Sequence, residues 1–160
     1  MTRDEVLAAV RAGTPLRRAD LHGIDLSGAD LSKAVLDDVD LTKSDLRGAN
    51  FSGARLRSVD GTDSNLDGAN FAGCEMSHTR LVGGSWKGAD LRGAKLHLTD
   101  LSGADLRSAK LATGFRSCPL RKTKWSGLDL SACDFTNANL ADADLQGATL
   151  TGAVLVQAEF

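Results

Sequence analysis

Apolar residues recur along this chain with a period of five. Leu21, Leu26, Leu31, Leu36, Leu41 and Leu46 are followed at the same spacing by Phe51, Leu56, Leu66 and Phe71. The series runs from Leu16 to Leu111 and resumes from Phe115 to Phe160, with one residue fewer between the two runs. These 30 central positions hold 21 Leu, all five Phe, both Trp, Met76 and Gly61. For seven aromatics to fall by chance on one position in five has odds of roughly one in 10^5, so the period is real. Two residues before each centre sits a small residue, Ala in 15 of the 30 cases. None of the chain's charged residues occupies either kind of position.

A period of five is neither the 3.6 of a helix nor the 2 of a flat strand. Two inward residues separated by an outward one make a very short strand, and the other two residues make a turn. Glycine in the S-G, R-G and K-G pairs suits that turn, because it accepts backbone angles that other residues resist. Such a unit cannot bury its apolar side alone, so units must coil and stack. A longer period of twenty is also legible. The turn-ending residue is not glycine at Arg18, Asp38, Ser58, His78 and Leu98, whereas Gly28, Gly48, Gly68 and Gly88 form an all-glycine column. After the missing residue the columns continue as Ser117, Asn137 and Gln157 and as Gly127 and Gly147. The same walls therefore persist, and residues 111–115 read as a local deletion or bulge within one domain. Stacked strands about 4.8 Å apart would give a rod of roughly 35 Å. Gly61 lacks a side chain where a large one is expected, which predicts a cavity or an indented coil. Gly84, two residues before Trp86, would leave room for the indole.

Ala29-Asp30-Leu31-Ser32, Ala104-Asp105-Leu106-Arg107 and Ile24-Asp25-Leu26-Ser27-Gly28 resemble the pentapeptide-repeat signature A-(D/N)-L-x-x. The resemblance covers residues 14–160. It implies an all-β fold, a right-handed quadrilateral parallel β-helix with four pentapeptides to a coil. Residues 1–13 read differently, as a short N-terminal capping helix. Thr2 and Glu5 have capping-box spacing, Val6, Leu7 and Val10 share a face, and Gly13 and Pro15 end the helix.

Composition narrows the function. A net charge of −2 is too near zero to announce either a nucleic-acid binder or a strongly acidic partner, and a nucleic-acid partner is not expected. No apolar run approaches the roughly 20 residues that cross a bilayer. Cys74, Cys118 and Cys133 fit no zinc spacing and fall on small inward positions, where a thiol is a compact filler. The expected compartment is a reducing cytoplasm. The charges are banded along the chain. Residues 1–79 carry 9 Lys/Arg against 13 Asp/Glu, residues 80–125 carry 10 against 3, and residues 126–160 carry none against 5.

The wall carrying Arg17, Asp37, Arg55, Glu75, Lys95, Arg116 and Asp134 nearly alternates in sign from coil to coil, as neighbouring strands pairing opposite charges would. It also exposes Val35, Leu98, Val154 and Val156, and apolar surface gathered on one wall can mark an interface. The expected partner-binding residues are Val35, Arg55, Arg57, His78, His97 and Leu98. His78 and His97 project from adjacent coils, but a metal needs three or four convergent ligands, so no metal site is expected. Arg121-Lys122-Thr123-Lys124-Trp125 has the look of a nucleic-acid patch, yet Trp125 holds a central position and points inward, away from any base. The last coil is apolar and uncapped, so Val154, Leu155, Val156 and Phe160 are the expected homodimer interface. A filled rod offers no catalytic pocket or cofactor site. The resulting expectation is a non-enzymatic protein-interaction module. The alternative, drawn from the resemblance, is a DNA mimic of the quinolone-resistance type that binds DNA gyrase, with Asp20, Asp40 and Asp60 as the start of its acidic surface.

Overall fold

The computed structural model describes every residue from Met1 to Phe160. Helix α1 spans Arg3–Arg11, with Thr2 as its N-cap in a complete capping box with Glu5. The helix lies across the open end of the first coil. Val6 is fully buried there, and the Arg3 guanidinium donates to the main-chain oxygens of Asp25 and Ser27 at 2.9 and 2.8 Å. An otherwise exposed strand edge is thereby covered.

Beyond α1 the chain winds as a four-sided parallel β-helix. Five short strands stack on one wall, here called wall 1. They are β1 (Leu16–Arg17), β2 (Val35–Asp37), β3 (Arg55–Arg57), β4 (Glu75–Ser77) and β5 (Lys95–His97). They pair in parallel in chain order, Val35 against Arg55, Arg55 against Glu75 and Glu75 against Lys95, so one coil is twenty residues. Walls 2, 3 and 4 follow at five-residue steps and are held by single parallel bridges such as Asp20–Asp40, Asp25–Asp45 and Asp30–Asn50. Each return to a wall is a parallel crossover, and right-handed is the hand that such connections take.

Centres and small residues fill the tube, in one cluster of 40 buried residues. Aromatic centres stack through it. Phe51 and Phe71 lie 5.0 Å apart with planes 4° from parallel, and Phe115 lies 5.4 Å from Phe135. Each buried centre contributes about 1.5–3 kcal/mol, so layer upon layer of small gains holds the rod together. At Gly61 no large side chain is available, and the space is taken from the next coil. Leu81 Cδ2 sits 2.8 Å from where a Cβ on Gly61 would stand. At Gly84 a Cβ would meet Ser64 O at 2.7 Å and lie 3.7 Å from Trp86 Nε1, so the glycine admits both the neighbouring main chain and the indole.

The step at residues 111–115 departs from the simple register. The step from Leu111 to Phe115 is four residues instead of five, and it places Ala112 inside and leaves Thr113 exposed. The small inward position before Phe115 is therefore Ala112 and not Thr113. Leu111 is only half-buried. Wall 1 continues past the step through Gly114–Asp134 and Asp134–Val154 bridges, without further three-residue strands. The final coil keeps the repeat turns to its end and does not fold over itself. Val154, Leu155, Val156 and Phe160 are exposed.

Candidate interaction surface

Wall 1 differs from the other three in its main chain. On walls 2 to 4 the outward residue before each centre is commonly Asp or Asn. Its side chain accepts the N–H two residues on, as in Thr42 N–H to Asp40 and Ser27 N–H to Asp25. Those side chains are spent on their own turns. On wall 1 the strands are longer and present two outward columns each, such as Arg55 with Arg57, Glu75 with Ser77, and Lys95 with His97.

The sign alternation on wall 1 resolves into pairs within the rod. Glu75 is shared between Lys95 at 2.9 Å and Arg55 at 3.3 Å. The Lys95 hydrogen bond, reinforced by the charges of Lys95 and Arg55, holds the Glu75 carboxyl below its usual range. Arg57 lies 3.9 Å from Asp37, Arg18 3.7 Å from Asp38, and Arg116 2.6 Å from Asp134. Exposed pairs of this kind are screened by water and contribute little to the fold, so they are easily exchanged for a partner's charges.

Of the expected contact residues, Arg55 and Arg57 share β3. His97 on β5 and His78 at the corner after β4 pack edge to face at 5.9 Å. No third His, Cys, Asp or Glu joins them in a group that could hold a metal. Leu98 follows His97 and is 40% exposed. Val35 is half-buried on β2, and β3 and β4 separate it from Leu98, so the apolar residues of wall 1 form no single strip. Trp125 is fully buried, as its central position required.

Leu98 has a second unusual property. Its φ is +49°, and it is the only apolar side chain among the non-glycine residues at positive φ. Most others are Asp, Asn, Ser, Lys or Arg. The three thiols are buried, and burial pushes Cys74 up to about 12 and Cys118 and Cys133 up to about 11. They are protonated fillers of the tube.

The repeat geometry has a match across the whole coil region. The family pattern described as Pentapeptide repeats fits this sequence in 8 copies, over residues 16–53, 40–77, 49–85, 74–111 and 115–160. The chain belongs to the pentapeptide-repeat family. Among solved structures, this pentapeptide-repeat chain is similar to HetL from the cyanobacterium Nostoc sp. strain PCC 7120, described as involved in heterocyst differentiation regulation. The two are 30% identical, with a TM-score of 0.57 over 99% of this chain and 94% of HetL. A trypsin-treated form of QnrB1, a plasmid-mediated fluoroquinolone resistance protein, superposes with a TM-score of 0.57 at 22% identity, covering 85% of this chain and 83% of that one. The QnrB1 likeness is one of fold. A comparison with curated proteins finds no significant match.

Against this repeat frame, the signal that sequence reading underused is the four-residue step. It places Lys95 and Arg116, both outside the expected contact set, on either side of a hollow of about 340 Å³ that also involves Thr113 and Gly114.

Proposed function

We propose that this pentapeptide-repeat rod is a non-enzymatic protein-interaction module whose contact surface is wall 1. The observation that carries the reading is Leu98, an exposed leucine held in a left-handed turn beside paired histidines and loosely paired cations. A left-handed residue of this kind costs about 1–2 kcal/mol, and a surface leucine there gives nothing obvious back to the fold. A pre-ordered wall loses little entropy on docking, which suits a module of this kind. The regulatory involvement stated for HetL is compatible with such a role.

The test is partner capture from the source cell by wild type and by a variant combining Arg55→Glu, Arg57→Glu and Leu98→Asp. Loss of a specific partner with an unchanged melting curve supports wall 1. Retention of that partner would move the contact to another wall.

A second copy is the proposed occupant of the last coil, seated on Val154, Leu155, Val156 and Phe160. Such a pair would bring together two ends rich in Asp142, Asp144 and Glu159, so its association should strengthen as salt screens them. Light scattering across a salt series reads this directly, and a monomer at all salt concentrations removes it.

The gyrase-mimic alternative draws on one feature of wall 2. Asp20, Asp40 and Asp60 stack in bridged register, but Arg80 follows Asp60 in the same column. A supercoiling assay with and without a quinolone separates the readings. Neither inhibition nor protection at micromolar protein is the outcome expected of an interaction module.

A further inference from the structure

The main-chain ladder of wall 1 is broken at the step. In the lower coils the corner amide of each coil donates to the coil above. Asp38 donates to Arg57 O, Ser58 to Ser77 O, and His78 to His97 O, at 2.9, 2.9 and 3.1 Å. The equivalent N–H of Leu98 donates to no main-chain oxygen. The Leu96 N–H reaches none in residues 114–116, the Gly114 and Arg116 amides donate to none, and Ala94 O accepts from none. Leu96 O receives only the Cys118 thiol, at 3.9 Å. Above the break the ladder resumes, with Phe115 donating to Asp134 O at 2.8 Å and Ser117 to Thr136 O at 2.9 Å.

The cause is the missing residue. Nineteen residues cannot trace the same square as twenty, so the chain at 112–114 cuts the corner between walls 4 and 1 and leaves the path that would pair with β5. An open strand edge results in the middle of the rod. The Cβ position on Gly114 faces open space, while Leu96 stays buried, at 6% against 2% for the equivalent Leu56 and Met76.

Unpaired edges accept extended chains by main-chain hydrogen bonds, with flanking side chains setting specificity. Around this edge stand two cations, Lys95 and Arg116, each paired with a carboxylate that an incoming acidic chain would displace. Lys95 and Arg116 flank the hollow together with Thr113 and Gly114, and His97 and the exposed Leu98 follow on the same chain outside its lining. The nearest carboxylates, Glu75 and Asp134, are already engaged with Lys95 and Arg116.

We infer that this breach receives an extended acidic segment of another protein. Its main chain bonds the β5 edge at Leu96 and Leu98, its carboxylates meet Lys95 and Arg116, and an apolar side chain rests on Leu98. The inference rests on wall 1 being the contact surface and names the chemistry of what that surface takes.

The experiment uses the full chain, 15N-labelled, with a capped peptide of alternating Glu and Val as probe and an alternating Lys–Val peptide as control. In the free protein the Leu96 and Leu98 amides should exchange with solvent much faster than those of Ser58 and His78. The acidic probe should slow them and shift their resonances, while the basic control does neither. Lys95→Glu with Arg116→Glu should weaken probe binding by about tenfold or more, through loss of charge complementarity on a surface that leaves the core intact. Inserting one alanine after Ala112 restores the twenty-residue spacing and should close the edge. Protected Leu96 and Leu98 amides in the free protein would overturn the inference, as would equal binding of both peptides or shifts confined to other walls. If the wall 1 variant loses its cellular partner but the probe leaves β5 untouched, the surface stands and only the breach fails. If the probe protects Leu96 and Leu98 while that variant keeps its partner, the wall 1 reading fails by itself.

Discussion

Trp86 and Trp125 fill the same wall two coils apart, yet only Trp125 has a partner for its indole N–H. Trp125 Nε1 donates to Thr123 Oγ1, whereas Trp86 Nε1 is buried without an acceptor. The difference lies in the preceding small position, Thr123 in one case and Gly84 in the other. Replacing either indole by Phe removes similar volume, but Trp86→Phe also removes an unpaired buried donor. Trp125→Phe should therefore cost about 1–2 kcal/mol more than Trp86→Phe in urea unfolding. Equal costs would show that the Trp86 N–H is satisfied in solution.

Gly61 and Gly84 make a second informative pair. A Cβ on either would come within 3 Å of another atom, but of different kinds. At Gly61 it meets a Leu81 methyl, which can rotate away, and at Gly84 it meets the main-chain oxygen of Ser64. Gly84→Ala should cost about 1–3 kcal/mol, the range for overpacking a rigid core, and Gly61→Ala clearly less. A reversed order in thermal melts would mean that the Leu81 side chain is locked.

Leu98→Gly tests whether the fold itself needs that leucine. Glycine relieves about 1–2 kcal/mol of left-handed cost and gives back about 0.5–1 kcal/mol to the freer unfolded chain, beyond the partial contact it forfeits. Stability should stay level or rise by up to about 1 kcal/mol, read as an unchanged or slightly higher melting temperature. A loss of more than about 1 kcal/mol would assign Leu98 to packing and deprive wall 1 of its main argument.

The tube was legible because its rule is local and repeated. Every fifth residue had to be large and apolar, and the Arg18, Asp38, Ser58, His78 and Leu98 column already distinguished one wall from the others. The charges at Arg55, Glu75 and Lys95 likewise announced their own pairing. What escaped the sequence depended on how neighbouring coils adjust to exceptions. Gly61 suggested a cavity or an indented coil without deciding between them, and Leu81 leans into the space from the coil above. The shortened spacing at 111–115 was visible, but counting back from Phe115 pointed to Thr113 as the inward residue. Only the path of the chain shows Ala112 taking that place and the β5 edge left bare. A periodic pattern predicts the average coil well and says little about the one that breaks it.

The outward carboxylates predict how the rod responds to acid. Asp90 is held down to about 2, first by its hydrogen bonds from the Arg92 side chain, then by the Arg92 amide and by the charges of Arg92 and Lys110. Asp40 is lowered by the Thr42 hydroxyl and amide, Asp45 by Arg47, and Asp105 by Arg107. In the unfolded chain an Asp titrates near 3.9, so below that value the unfolded state binds more protons than the folded one. The stabilisation is complete above the unfolded value and is lost as pH falls through the folded values. The melting temperature should be level near neutrality and fall steeply from about pH 4 towards pH 2. Asp90→Asn removes one of these linked groups, so its melting temperature should start lower at pH 7 and fall less on acidification. If the variant and wild type lose stability in parallel over that window, the Arg92 fork at Asp90 is not formed in solution.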